Sequence, residues 1–323
     1  MTVDTTSYQD FKKISRWNVR WMKGRVILLC LSIFLNVTSA YFLITKGLNF
    51  SIDFRGGVLM EVGFKNTPSI EALRTYVNDV DIADLPAIQV QSFGDKAFLL
   101  NLSGSQAGEF AETIVPALKT HLQKQYPDNI VVRRVETVGP KVGGELVETS
   151  VVAVVTAILA MLIYIWARFE LPFAIGSVMA LFHDVFITLG IFALFQIEFG
   201  LPIIAALLTI VGYSMNDTVV IYDRIRENLI KYRKALVADL IDLSVNETFA
   251  RTLVTAGTLL ISLGALYLFA GEVLESFVIA MIIGVFVGTY SSVFVAAPML
   301  ILWGVKNKFL APSKKSKTPL PLL

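Results

Sequence analysis

Asp217 stands inside the inner half of an apolar run, 201–222, whose length and composition suit a membrane crossing. A charged side chain near the centre of a spanning helix costs about 2.5–3.5 kcal/mol. A carboxylate kept there calls for a protein-facing partner and a task, and the chemistry open to it is loading and release of a proton as water access changes. Asp217 lies about 16 residues from the outer end and about one and a half turns from the inner end near Tyr222. Arg251, which precedes the next apolar run, shares that depth and can pair with it. The plainer alternatives are an Arg251 that snorkels to the interface as a flanking charge, and an Asp217 satisfied by Ser214 or Thr218 of its own helix. Asn216 is a further polar group beside it. His183 and Asp184, near the middle of the run 171–195, form a second intramembrane pair. They suit a proton relay, or a pairing in which one bonds a neighbouring helix while the other packs, because adjacent residues point in different directions on a helix.

The elements that must hold these groups follow from composition. Of 323 residues, 55% are hydrophobic and only 17% charged, with a mean hydropathy of +0.66, which places the chain among multi-span membrane proteins. Six runs are long enough to cross a core of about 30 Å: 26–45, 147–167, 171–195, 201–222, 253–270 and 277–303. The first is too long an apolar core for a signal peptide, although basic residues precede it. The net charge of +2 hides an asymmetry. Lys and Arg crowd the amino-terminal segment, the fourth-to-fifth connection and the tail, whereas the connections 196–200 and 271–276 carry Glu198, Glu272 and Glu275 and no basic residue. The positive-inside rule therefore puts both termini in the cytoplasm. Cys30 is the only cysteine and His121 and His183 the only histidines, which excludes an intrachain disulfide and argues against thiol or histidine metal sites and redox chemistry. Gly284 and Gly288 in the last run are spaced for close helix approach, within the bundle or against a partner.

The layout expected is a cytoplasmic amino-terminal segment 1–25, a first transmembrane helix 26–46, an extracytoplasmic domain 47–141, a five-helix bundle 142–303 and a cytoplasmic tail 304–323. Within the domain, 58–64 alternates as a strand, 70–79 reads as a helix, and 88–93 and 97–102 flank a Gly94-Asp95 turn as a hairpin. A helix over 107–125 and a strand over 130–138 complete the order βαββαβ, that of a ferredoxin-like α+β unit. With 11 acidic and 8 basic residues over 47–140 and neither a carboxylate pair nor a phosphate loop, the domain lacks catalytic equipment. The glycine-rich pieces containing Asp53, Gly56 and Gly57, and Gly139 and Pro140, fall where the domain meets its spans and read as hinges and tight turns. An open sheet face or edge could accept an extended polypeptide by strand addition. Residues 223–234 read as a solvated, charged continuation of the fourth run.

Five pieces in order, Asp53-Phe54-Arg55-Gly56-Gly57, Val138-Gly139-Pro140-Lys141-Val142-Gly143, His183-Asp184-Val185, the stretch from Val211 through Asn216-Asp217-Thr218, and Asp223-Arg224-Ile225-Arg226-Glu227-Asn228, give a chain that resembles the SecF family of the resistance-nodulation-division superfamily. The resemblance implies a bacterial inner-membrane subunit paired with SecD beside the SecYEG channel, with YajC and YidC as further partners. It implies use of the proton-motive force to assist export of an unfolded polypeptide, with Asp217 as the intramembrane carboxylate and Arg251 as its basic partner. No cofactor, metal, nucleic acid or enzymatic activity is implied. The rival functions are a subunit of a small-molecule efflux transporter and a scaffold that holds the translocon without coupling to protons.

Overall fold

The computed structural model describes residues 17–80, 88–94, 96–103, 111–127, 129–233, 235–269 and 274–305. The expectations for 1–16, Asp95, 107–110, Lys234, 271–273 and 306–323 lie outside the described residues. Six helices are long and apolar enough to cross a membrane: Trp21–Thr45, Lys141–Arg168, Leu171–Phe195, Leu201–Lys231, Val237–Phe269 and Glu275–Leu302. They are called spans one to six below. Spans two, three and four each open with proline in the first turn, where the missing N–H would have had no helical partner. Span six is α-helical over Glu275–Ser291, π-helical over Ser292–Ala296 and α-helical again over Ala297–Leu302.

Spans four and five run well past the apolar stretches. Span four continues to Lys231 and span five begins at Val237. The added turns are held by polar side chains: Arg224 forks onto Glu247 at 2.7 and 2.8 Å, and Asn228 donates to Glu247 and to Ser244 at 2.8 and 2.9 Å. Ile225, Asn228 and Leu229 are buried there, so this continuation is a packed helix pair rather than the solvated helix expected. The chain before span one crosses it. Met22 donates its N–H to Asp242 at 2.8 Å, Asn246 exchanges bonds with the Val19 backbone, and Trp17 and Trp21 lie against Phe249.

Spans three, four and six form the core of the bundle, half or more of each apolar window being buried, while in spans one, two and five less than a fifth is buried. Close contacts require small residues at the seam. A Cβ on Gly284 would lie 2.3 Å from Ile210, and one on Gly288 would lie 3.1 Å from Ser214, so the Gly284–Gly288 spacing serves span four of the same chain.

The polar interval between spans one and two folds as a sheet of β2 (Gly57–Phe64), β3 (Gln89–Phe93), β4 (Ala97–Ser103) and β5 (Ile130–Val138), antiparallel and ordered β3-β4-β2-β5. Helices Ile70–Val77 and Ala111–Gln125 cover one face. Alternation decides which: Val58, Met60, Val62, Phe98, Leu100 and Leu102 point to the helices and pack on Leu73, Val77, Leu118 and Leu122, all buried. Leu59, Glu61 and Leu99 point to the other face. Ser69 caps the first helix by accepting the Ala72 N–H at 3.3 Å. His121 stacks on Tyr76 and bonds its carbonyl at 3.1 Å, a structural use of that imidazole.

A clasp joins the domain to the spans. β1 (Asn49–Phe50) pairs in parallel with β6 (Glu198–Phe199), the connection between spans three and four. The short helix Ile52–Arg55 follows, and the Asp53 carboxylate accepts the Leu201 N–H at 3.0 Å. That N–H begins span four, where Gly200 offers no side-chain cap, so Asp53 supplies one from outside the helix.

Candidate functional site

Asp217 is buried at 7% exposure, between spans four and five. Its Oδ1 accepts the Thr252 hydroxyl at 2.5 Å, and its Oδ2 is buried with no hydrogen-bond partner among the described residues. Ser214 and Thr218, the expected same-helix donors, are engaged elsewhere: Ser214 with Asp184, and Thr218 with Ser292 at 2.9 Å. Arg251 lies one position before Thr252, at the depth expected, but its side chain is exposed and makes no salt bridge among the described residues. Its charge acts on Asp217 across the gap. The physical reason is rotation: neighbouring residues on a helix differ by about 100°, so Thr252 faces Asp217 and Arg251 does not. Asn216 is exposed on the outside of span four for the same reason.

The second pair differs. His183 and Asp184 are both buried and bond each other, Nδ1 to Oδ1, at 2.9 Å. Asp184 Oδ2 accepts the hydroxyls of Ser214 at 2.5 Å and Ser291 at 2.8 Å, which ties spans three, four and six together. His183 stacks on Tyr290, whose hydroxyl donates to the Leu28 carbonyl of span one at 2.8 Å. Neither residue merely packs. A turn further along span four, Thr218 meets Ser292, and after one more turn Tyr222 donates to the Ala296 carbonyl at 2.9 Å. These three rungs fix span four against the π-helical part of span six. Thr252, Ser291 and Ser292 are absent from the sequence expectations, and Ser214 enters them only as a donor to Asp217; a hydroxyl pair such as Ser291-Ser292 inside an apolar run is the available signal.

The expected turn residues divide. Gly56 and Gly57 have φ of +72° and +144°, values L side chains rarely adopt, so both are required for the reversal into β2. Gly139 has an ordinary φ of −69° and simply precedes the helix Pro140–Arg168 that forms span two. Asp53, Gly56 and Gly57 thus sit in the clasp, while Gly139 and Pro140 begin the return into the bundle.

The model of the protein export membrane protein SecD/SecF C-terminal family matches residues 117–306, and that of the SecD/SecF GG motif matches 41–68, which includes Gly56 and Gly57. The protein translocase subunit SecF of Desulfurispirillum indicum is 40% identical over 308 residues, covering 94% of this chain and 96% of the relative. The chain belongs to the SecF family of protein translocase subunits. A second SecF, from Vibrio alginolyticus, is 40% identical over 93% of both chains. Among solved structures, SecDF of Thermus thermophilus, described as a translocon-associated membrane protein, superposes with a TM-score of 0.76 at 34% identity over 87% of this chain. SecDF in its super-membrane-facing form gives 0.65. This SecF-family chain spans 38% of the length of each SecDF chain.

Proposed function

We propose that this SecF-family subunit couples proton movement at Asp217 to the translocation of unfolded polypeptide. The observation that carries the reading is the half-satisfied carboxylate: one oxygen is bound by Thr252 and the other is buried and free to take a proton. With Asp217 ionised, the Arg251 charge attracts it; with Asp217 protonated, that attraction disappears and Oδ2 becomes a donor in need of an acceptor. Either change favours a different seating of span four against span five. A continuous helix then carries the displacement about 24 Å, at about 1.5 Å per residue, from Asp217 to Leu201, where the Asp53 clasp meets the domain.

On this reading the four-stranded unit is a ferredoxin-like extracytoplasmic domain, 47–141, between a first span ending at 46 and a bundle over 142–303. Segments 1–25 and 304–323 are cytoplasmic, and the membrane is the bacterial inner membrane. Support comes from the basic residues at the end away from the domain, among them Arg20, Lys23, Arg25, Arg168, Arg224 and Arg226. SecD is the proposed partner, beside SecYEG, YajC and YidC. Ala205, Thr209, Gly212 and Asn216 form an exposed stripe of small and polar residues along span four at the level where lipid would disfavour them, with Arg251 on span five exposed at the same depth as Asp217. A second membrane subunit suits that face. The subunit is a mechanical coupler and not an enzyme.

The test is Asp217→Asn in membrane vesicles containing the subunit, its SecD partner and the channel. Stimulation of precursor export by an imposed proton gradient is expected to vanish while gradient-independent export continues. Undiminished stimulation would sink the proton assignment.

A further inference from the structure

A cavity of about 380 Å³ lies between the helix-free face of the sheet and the domain-side ends of spans four and six. Leu59, Phe93 and Leu99 form its roof and Ile203 and Phe277 part of its floor. Its charged lining is one-sided: Asp53, Glu61, Glu136 and Glu198 against Arg134 alone. Three of the four carboxylates are engaged: Asp53 caps span four, Glu61 pairs with Arg133 at 3.4 Å, and Glu136 pairs with Arg134. Glu198 makes no salt bridge among the described residues. Burial and the neighbouring Asp53 charge push its carboxyl above the usual range, which is the mark of an anion without compensation.

We propose that this cavity binds a short extended polypeptide stretch in which basic and apolar side chains alternate, the cation meeting Glu198 and the apolar groups meeting Leu59, Phe93 and Leu99. The lining excludes simpler occupants. A bare cation leaves the leucines and phenylalanines against water, and an apolar chain leaves Glu198 uncompensated. The volume falls at the low end of the range of about 300–1,000 Å³ typical of ligand clefts, enough for a few side chains and too little for a folded partner. Anionic lipid headgroups are repelled by the same carboxylates. Extended backbone suits the roof, because the sheet presents side chains at the period of two that a strand offers in return. The physiological occupant named here, a segment of the exported chain, rests on the export reading above; the binding chemistry does not.

Labelled peptides of about nine residues, one alternating Lys and Leu and one alternating Glu and Leu, titrated against the full chain in nanodiscs of neutral lipid, test the site. The Lys–Leu peptide is expected to bind about tenfold or more tightly than the Glu–Leu peptide, to lose about tenfold in Glu198→Gln, and to weaken as salt rises. Equal affinity for the two peptides, or unchanged affinity in both Glu198→Gln and Glu136→Gln, overturns the proposal. A photoreactive residue in place of Leu99 is expected to capture the Lys–Leu peptide; capture of a second copy of the chain or of SecD, with no competition by peptide, also overturns it. The Asp217→Asn variant separates the two readings. Peptide binding that fails while proton stimulation persists removes the cavity alone, and binding that persists in Asp217→Asn while stimulation is lost supports both.

Discussion

Asp184 and Asp217 are carboxylates buried in the same bundle, and they are held in opposite ways. Asp184 uses both oxygens, accepting Ser214 and Ser291 on one and meeting His183 on the other, and joins three spans. Asp217 uses one oxygen, toward a single hydroxyl. A buried charge with every lone pair answered belongs to the architecture, because any change in its protonation strands its donors. A buried charge answered on one side can exchange its proton at lower cost to its surroundings. Burial alone therefore does not separate the two carboxylates; the unanswered oxygen of Asp217 does, and the proposed proton role rests on it.

That contrast can be broken by measurement. Asp184→Ala is expected to lower the unfolding free energy by about 3 kcal/mol, since it takes the partner from the buried Ser214 hydroxyl and the His183 imidazole and leaves Ser291 only the Gly288 carbonyl, whereas Asp217→Ala is expected to change it by less than about 1 kcal/mol. Reversible denaturation in detergent reads both, and equal losses would erase the distinction. Gly284→Ala comes next, at about 1–3 kcal/mol, because its methyl must displace Ile210 and open the seam between spans four and six that carries Asp184. Thr252→Val, of the same shape, removes the one side-chain hydrogen bond that Asp217 makes among the described residues. It is expected to cost about 1 kcal/mol and to reduce proton-stimulated export by a fraction rather than abolish it; unaltered export would make Thr252 a packing residue. The smallest effect belongs to Glu198→Gln. Because the folded state raises the Glu198 carboxyl above its ordinary value, this group favours folding at low pH and that contribution is lost as pH rises from 4.5 through the higher folded value. The glutamine variant is expected to flatten this part of the stability–pH profile and to be slightly more stable at neutral pH.

Much of this arrangement was legible in the residues. The six spans, the order of elements between the first two and the expense of Asp217 follow from hydropathy, period and charge. What failed did so for identifiable reasons. The start of span five was placed at 253 because Asp239, Asp242, Asn246 and Glu247 break the apolar run, yet Asp242 and Asn246 are buried against the chain before span one and Glu247 binds Arg224. Depth along a helix can be counted, and it puts Arg251 at the level of Asp217. Azimuth depends on which face packs inward, and that gives the hydrogen bond to Thr252. The bond between adjacent His183 and Asp184 depends on rotamers, which spacing does not specify.

The π-helical stretch Ser292–Ala296 is a phase shift written into span six. At its start the adjacent hydroxyls face different spans, Ser291 bonding Asp184 of span three and Ser292 bonding Thr218 of span four. The stretch acts as one residue beyond what α-helical pitch would use. Deleting a residue there would restore regular pitch and turn Ala297–Leu302 by about 100°, swinging the fully buried Leu300 out of the core although the composition of that segment is unchanged. Span six is in this sense a helix whose length in residues, independent of its composition, sets which of its sides meets span four.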